Sequence, residues 1–111
     1  MSEESKISKY EHYNILYGYY SLLFTEKQKN YFENFYFYDL SLSEIAQNNH
    51  ISRAAVFDAI DKIHKTLDEY EDKLMLYQKD LEREKVYEEF SQIISDKENY
   101  NELVKRLREI E

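Results

Sequence analysis

Apolar residues recur along the middle of the chain at the spacing of a coiled-coil heptad. Successive members of this seam are four, three, four, three, four, three and four residues apart: Val56, Ile60, Ile63, Leu67, Tyr70, Leu74, Tyr77 and Leu81. An unbroken pattern of this kind indicates a long helix with one apolar stripe. Because neither Gly nor Pro occurs over residues 53–95, the sequence predicts a continuous helix across that range.

Such a seam fits two arrangements. It pairs with its copy in a second subunit, or it is covered within one chain by the first helix and the C-terminal one. Two tyrosines in one row suit a simple parallel coiled coil poorly. We therefore expect a homodimer in which the long helix takes part together with other helices.

The residues before the seam carry the signals of two helices joined by a tight turn. Ser41 with Glu44 three residues later forms a capping-box pattern, and Ser52 is positioned to cap the next helix. Between them, residues 48–50 (Asn-Asn-His) suit a turn because Asn and His tolerate positive φ. This order of cap, helix, turn, cap and helix is typical of a helix-turn-helix.

Three more helices are predicted around this motif. Hydrophobic residues recur at helical spacing over residues 10–24. Thr25 opens a second capping box and a helix over residues 26–38. Asp96 is a candidate cap for a last helix that runs to Ile110.

The predicted fold class is therefore all-α. A helix-turn-helix core without a wing occupies residues 1–66. The long helix over residues 53–95 continues the recognition helix, which is the second helix of the motif. A C-terminal helix over residues 96–111 completes one structural domain.

The chain contains 12 Tyr and 6 Phe. Aromatic residues form stacking platforms for single-stranded nucleic acid in some proteins. Here they lie on predicted helices and are not densely interleaved with basic residues, so we interpret them as core and interface packing.

Charge is distributed unevenly along the chain. The net charge is −8, and residues 67–111 hold 8 basic and 14 acidic side chains. Residues 25–66, which include the helix-turn-helix, hold 5 basic and 6 acidic side chains and are nearly neutral. This balance argues against nonspecific binding of polyanions.

Several classes of function lack their signatures. The three histidines share no metal-ligand spacing, the chain has no Cys, and no glycine-rich phosphate loop is present. We therefore predict no enzyme, no catalytic residues, no cofactor and no metal. No apolar run reaches the ~18 residues that span a membrane, so a cytoplasmic protein without membrane insertion is expected.

The most characteristic pieces of the sequence are LSEIA (residues 42–46), ISRAAVFDAI (51–60) and LDEYEDKL (67–74). Over roughly residues 13–81, the chain resembles the YlxM-like family of small helix-turn-helix proteins. The resemblance implies a domain similar to the promoter-reading fourth region of bacterial sigma factors. It also implies a role in the signal recognition particle pathway, because the family's gene usually lies beside that of the particle's GTPase.

Two functions are consistent with these observations. A sequence-specific DNA-binding regulator would use one set of recognition-helix residues: Ser52, Arg53, Ala54, Phe57, Asp58, Lys62 and Lys65. The alternative is a regulatory or accessory factor that docks on the signal recognition particle GTPase or its RNA, with Phe57 as an anchor. We favour the second function, because few cations accompany the motif and the acidic long helix suits a basic partner.

Overall fold

The computed structural model describes residues 8–94 and 96–110, and this part of the chain contains helices and no strands. The all-α fold class is confirmed. A short 3-10 turn, Ser21–Leu23, follows the first helix. The six α-helices are α1 (Lys9–Tyr20), α2 (Glu26–Tyr36), α3 (Leu42–Asn49), α4 (Arg53–Leu74), α5 (Leu76–Ile93) and α6 (Lys97–Glu109).

The helix starts follow the capping residues read from the sequence. At α2, the Thr25 hydroxyl accepts from the Gln28 amide at 3.2 Å, and the Gln28 side chain accepts from the Thr25 amide at 2.9 Å. At α6, Asp96 accepts from the Asn99 amide at 3.1 Å. Side chains therefore satisfy the otherwise unpaired N–H groups of these first turns.

The prediction of one continuous helix over residues 53–95 requires a correction. Met75 adopts the left-handed conformation with φ 56°, and its amide donates to the Glu71 carbonyl at 2.8 Å. The recognition helix is thus extended, but it ends at Leu74, and the chain divides into two compact units between Met75 and Leu76. The predicted end at residue 95 lies outside the described residues.

The first unit, up to Met75, is built around α4. Helices α1, α2 and α3 all pack on α4, and α3 also packs on α2. Aromatic rings fill much of the space between them: Phe32 stacks on Tyr17 at a centroid distance of 4.0 Å and on Tyr36 at 4.1 Å. All three rings are buried, as expected for core packing.

Two tyrosines of α1 pack their rings in the first unit while their hydroxyls donate to carboxylates of α4. Tyr13 donates to Asp68 at 2.7 Å, and Tyr20 donates to Glu71 at 2.6 Å. Burial, reinforced by the hydrogen bond to Asp68, raises the pKa of Tyr13 to about 12. These bonds join α1 to the later turns of α4. They therefore hold α4 in place where its apolar contacts become fewer.

The predicted seam does not form one surface. Its first four members, Val56, Ile60, Ile63 and Leu67, are at most 5% exposed and lie in the core of the first unit. Tyr70 is half-buried, with its ring 5.7 Å from that of Tyr20 and 5.9 Å from that of Phe24. Leu74 is 44% exposed, while Tyr77 and Leu81 belong to the second unit.

Candidate partner-binding surface of the helix-turn-helix

The turn between α3 and α4 is held by local hydrogen bonds. Ser41 and Glu44 form the capping box reciprocally, with both bonds at 3.1 Å. His50 takes the left-handed conformation with φ 56°, and the amide of Ile51 donates to the Ala46 carbonyl at 3.1 Å. This turn requires a positive φ, and glycine is therefore the usual residue at this position. In this chain histidine occupies it.

A small apolar cluster fixes α4 against α3. Its buried members are Tyr31, Ile45, Ala46, Val56 and Ile60. Leu40 and Ile51, which directly precede the caps Ser41 and Ser52, pack against this cluster and are partly buried. Ser52 accepts from the Ala55 amide at 3.0 Å and so starts α4 at the predicted residue. The motif is thus rigid from the α3 cap to the first turn of α4.

The opposite side of α4 faces solvent. We call this surface the recognition face, and it consists of the residues predicted to touch DNA or a partner: Ser52, Arg53, Ala54, Phe57, Asp58, Lys62 and Lys65. All seven are exposed, and their sequence spacing places those within α4 on one side of the helix. Phe57 is 55% exposed and provides the one aromatic ring of this face.

The recognition face carries three cations and one carboxylate: Arg53, Lys62, Lys65 and Asp58. One of the cations is paired, because the Lys65 ammonium lies 3.0 Å from the carboxylate of the neighbouring Asp61. The hydrogen bond from Lys65 lowers the pKa of Asp61. Arg53 and Lys62 make no ion pair within the described part of the chain, so two cations of the face are open to an anionic partner.

A cluster around His64 was not identified from the sequence, which showed only that the three histidines share no metal-ligand spacing. The His64 ring stacks on Tyr13 at 4.0 Å, and its Nε2 lies 2.7 Å from the Tyr36 hydroxyl. His12 lies 3.1 Å from Asp68 nearby. The sequence held one signal for this cluster. His64 directly follows Ile63, a member of the apolar seam, and helical neighbours of a core position lie at the boundary of the core.

This cluster makes stability depend on pH. Burial, with a further contribution from Lys9, lowers the pKa of His64. Above the ordinary histidine pKa of about 6.5 the ring is neutral in both the folded and unfolded chains. As the pH falls below that value, the unfolded chain binds the proton first, so the free energy of unfolding decreases.

We therefore expect wild type to lose more stability than His64→Gln between pH 7.5 and pH 5.5. Glutamine keeps an acceptor for the Tyr36 hydroxyl but does not titrate. Urea unfolding midpoints at the two pH values provide the measurement. Equal losses in both proteins would contradict a contribution from His64.

Neither a metal centre nor a membrane span has its signature in residues 8–94 and 96–110. Within these ranges, no group of three or more His, Cys, Asp or Glu residues is arranged to hold a metal ion. No described helix combines the length and apolar character needed to cross a bilayer. The exposed side of α4 is thus the candidate functional surface, on the basis of both the sequence and the structure.

The fold and the recognition face define a helix-turn-helix protein. Comparison with known proteins then identifies the family: residues 7–107 match the UPF0122 family of YlxM/p13-like helix-turn-helix proteins. A UPF0122 protein from Bacillus thuringiensis (strain Al Hakam) is 44% identical over 96 residues, which cover 86% of this chain and 87% of the relative. A UPF0122 protein from Bacillus mycoides (strain KBAB4) is 43% identical over the same shares. The chain belongs to the UPF0122 family.

Proposed function

We propose that this protein is a non-catalytic accessory or regulatory factor of the signal recognition particle pathway, and that it docks through the recognition face on the particle's GTPase. The observation that carries the proposal is the exposed Phe57 on a recognition helix whose start is fixed by the Ser52 cap. The link to this pathway comes from the resemblance to YlxM-like proteins and their gene neighbourhood.

Phe57 supports a protein partner because a half-exposed aromatic ring on a fixed helix is a typical anchor. Such rings insert into pockets and contribute much of the binding free energy of an interface. The small side chain of Ala54, one helical turn earlier and also exposed, leaves room for a partner to reach the ring. No reordering of the motif is needed, so little conformational entropy is lost on docking.

Charge supports a basic partner. The chain has a net charge of −8, and Glu69 and Asp72 are exposed on the later turns of α4. An acidic surface accelerates association with a basic protein through long-range attraction. A GTPase with an RNA-binding surface meets that description, whereas RNA itself would be repelled.

DNA binding is the second candidate, and one observation favours it. Ser52, Arg53 and Ala54 are exposed at the start of α4, which is the end of a recognition helix that contacts base edges in helix-turn-helix proteins. Arg53 could donate two hydrogen bonds to guanine. The paired Lys65 and the nearby Asp58 weaken this candidate, since both reduce attraction to phosphate.

The test is a binding titration with purified signal recognition particle GTPase, its RNA and duplex DNA as separate probes. Phe57→Ala is expected to weaken binding to the GTPase about 30-fold, which corresponds to ~2 kcal/mol for an interface anchor. Phe37→Ala is the matched control, because Phe37 is also half-exposed but lies just after α2 and outside the recognition face. It should leave the affinity unchanged.

Two outcomes would overturn the proposal. One is a GTPase that does not bind, or that binds wild type and Phe57→Ala equally. The other is binding to duplex DNA alone with a steep salt dependence, which would assign the recognition face to DNA.

A further inference from the structure

The second compact unit is a helical hairpin whose interior is largely polar. The Arg108 guanidinium donates to both carboxylate oxygens of Glu84, at 2.6 and 2.8 Å, and lies 5.4 Å from the centre of the Tyr87 ring. The Tyr100 hydroxyl donates to the Tyr87 carbonyl. Val104 is the one buried residue of the hairpin within residues 76–94 and 96–110. The two helices therefore have almost no apolar core of their own.

The apolar side chains of the hairpin face outward instead. Helix α5 contributes three at helical spacing, α6 contributes two, and the residue that caps the end of α6 contributes one. They are 40–81% exposed: Val86, Phe90, Ile93, Leu103, Leu107 and Ile110. Val86 and Leu107 line the same open groove together with charged residues, so the two stripes come together at these two side chains. We call this surface the hairpin face.

A surface of this kind requires a covering partner. Chains shorter than about 40 residues rarely bury enough apolar area to be stable alone, and a contiguous exposed apolar patch marks an interaction site. We propose that the hairpin face pairs with the hairpin face of a second copy of this chain, so that two hairpins form an antiparallel four-helix bundle. This inference does not depend on the proposed function.

The charge pattern of α6 supports a second copy as the occupant. Two of its charges flank the apolar stripe, Glu102 directly before Leu103 and Arg106 directly before Leu107. A two-fold axis that pairs α6 with its copy in opposite directions brings Glu102 of one chain beside Arg106 of the other. Because the Arg106–Glu102 pair within one chain is exposed and 3.5 Å long, these two charges remain accessible to a second chain. A uniformly basic partner would meet no such match.

The heptad seam is excluded as the dimer surface over its first half. Val56, Ile60, Ile63 and Leu67 are buried in the first unit, so pairing through them would require that unit to open. The hairpin face needs no such opening. A dimer expected from the sequence is thus retained as a proposal, but its contact surface moves from the seam to α5 and α6.

Sedimentation velocity of the full chain across micromolar concentrations tests the pairing. Wild type is expected to form a dimer, and Phe90→Glu with Leu107→Glu should raise the dimer dissociation constant about ten-fold or more, because each charge would be buried without a partner. Leu22→Glu is the matched control, since Leu22 is 89% exposed in the first unit, and it should remain dimeric. Circular dichroism of each variant checks that the helices are intact.

A cysteine experiment tests the two-fold geometry directly. The chain has no Cys, so Leu103→Cys introduces a single thiol near the middle of the α6 stripe, and Leu22→Cys introduces one elsewhere. Mild oxidation should link two copies of Leu103→Cys far faster than two copies of Leu22→Cys. A monomeric wild type, a dimer that the double variant leaves unchanged, or equal cross-linking at both positions would each overturn the proposal.

Discussion

Leu67→Asp is expected to unfold the first unit, whereas Leu74→Asp should change its stability little. The two leucines occupy equivalent positions of the same heptad row, one helical repeat apart. Leu67 is fully buried, while Leu74 is 44% exposed. Burial of an unpaired carboxylate costs several kcal/mol, a large part of the roughly 5–15 kcal/mol that stabilises a typical domain. At position 74 the carboxylate stays hydrated.

Thermal and urea unfolding, followed by circular dichroism at 222 nm, provide the measurement. Leu67→Asp should lose its cooperative transition or shift it far downward. Leu74→Asp is the matched control, since the substitution is identical and the heptad position is equivalent. Equal destabilisation by both changes would mean that the seam acts as one buried surface, as a continuous coiled coil would require.

The comparison of these leucines shows what periodicity can and cannot predict. The heptad spacing correctly indicates that Val56 to Leu67 face an apolar environment, because helix geometry places them on one stripe. It does not identify which element covers the stripe. The covering element is determined by tertiary packing, which here places the tyrosine-rich helices α1 and α2 on α4.

Local structure was predicted most accurately where short-range chemistry determines it. Each predicted cap accepts a hydrogen bond from a backbone amide at the start of its helix: Thr25, Ser41, Ser52 and Asp96. A cap acts over three residues, so it can be read without knowledge of the fold. The same holds for His50, because its side chain tolerates the positive φ that the turn requires.

The break at Met75 could not be predicted in this way. Methionine is a good helix former, and no Gly or Pro stands near position 75. Tertiary packing supplies most of the stability of a helix in a protein. Tyr70 is the last residue of the seam within α4 that contacts the aromatic core, through Tyr20 and Phe24. Helix α5 continues for 18 residues after the break without a buried side chain, so neither residue type nor loss of packing explains why the chain turns at Met75.

The recognition face was predicted as a set of positions. All seven residues are exposed, with Ser52 as the cap of α4 and the other six within it, but their contact with a partner stays a prediction. Which partner binds there was not predictable, because helix-turn-helix folds serve several functions. The charges and the exposed ring distinguish these functions physically. A DNA reader depends on cations, whereas a factor that docks on a basic protein depends on carboxylates.

Charge reversal on α4 and α5 is expected to slow association with a basic partner strongly. Glu69→Lys, Asp72→Lys and Glu82→Lys change exposed side chains and together reduce the net charge from −8 to −2. If the partner is a basic protein, the triple variant should associate about ten-fold or more slowly at low salt. Added salt should produce a similar loss in wild type, because it screens charges beyond a Debye length of about 8 Å at physiological ionic strength.

The matched cation variants are Arg53→Ala and Lys62→Ala with Lys65→Ala. With a basic partner these changes should be neutral or mildly favourable, since they leave the protein more acidic. With DNA the order reverses: loss of the lysines weakens binding to all sequences and flattens the salt dependence, and loss of Arg53 relaxes specificity by ~1–3 kcal/mol at one base pair. Stopped-flow association rates with the purified GTPase, and equilibrium titrations with duplex DNA, measure both sets. If the lysine pair abolishes binding while the acidic reversals have no effect, docking on a basic partner is wrong and the recognition face reads nucleic acid.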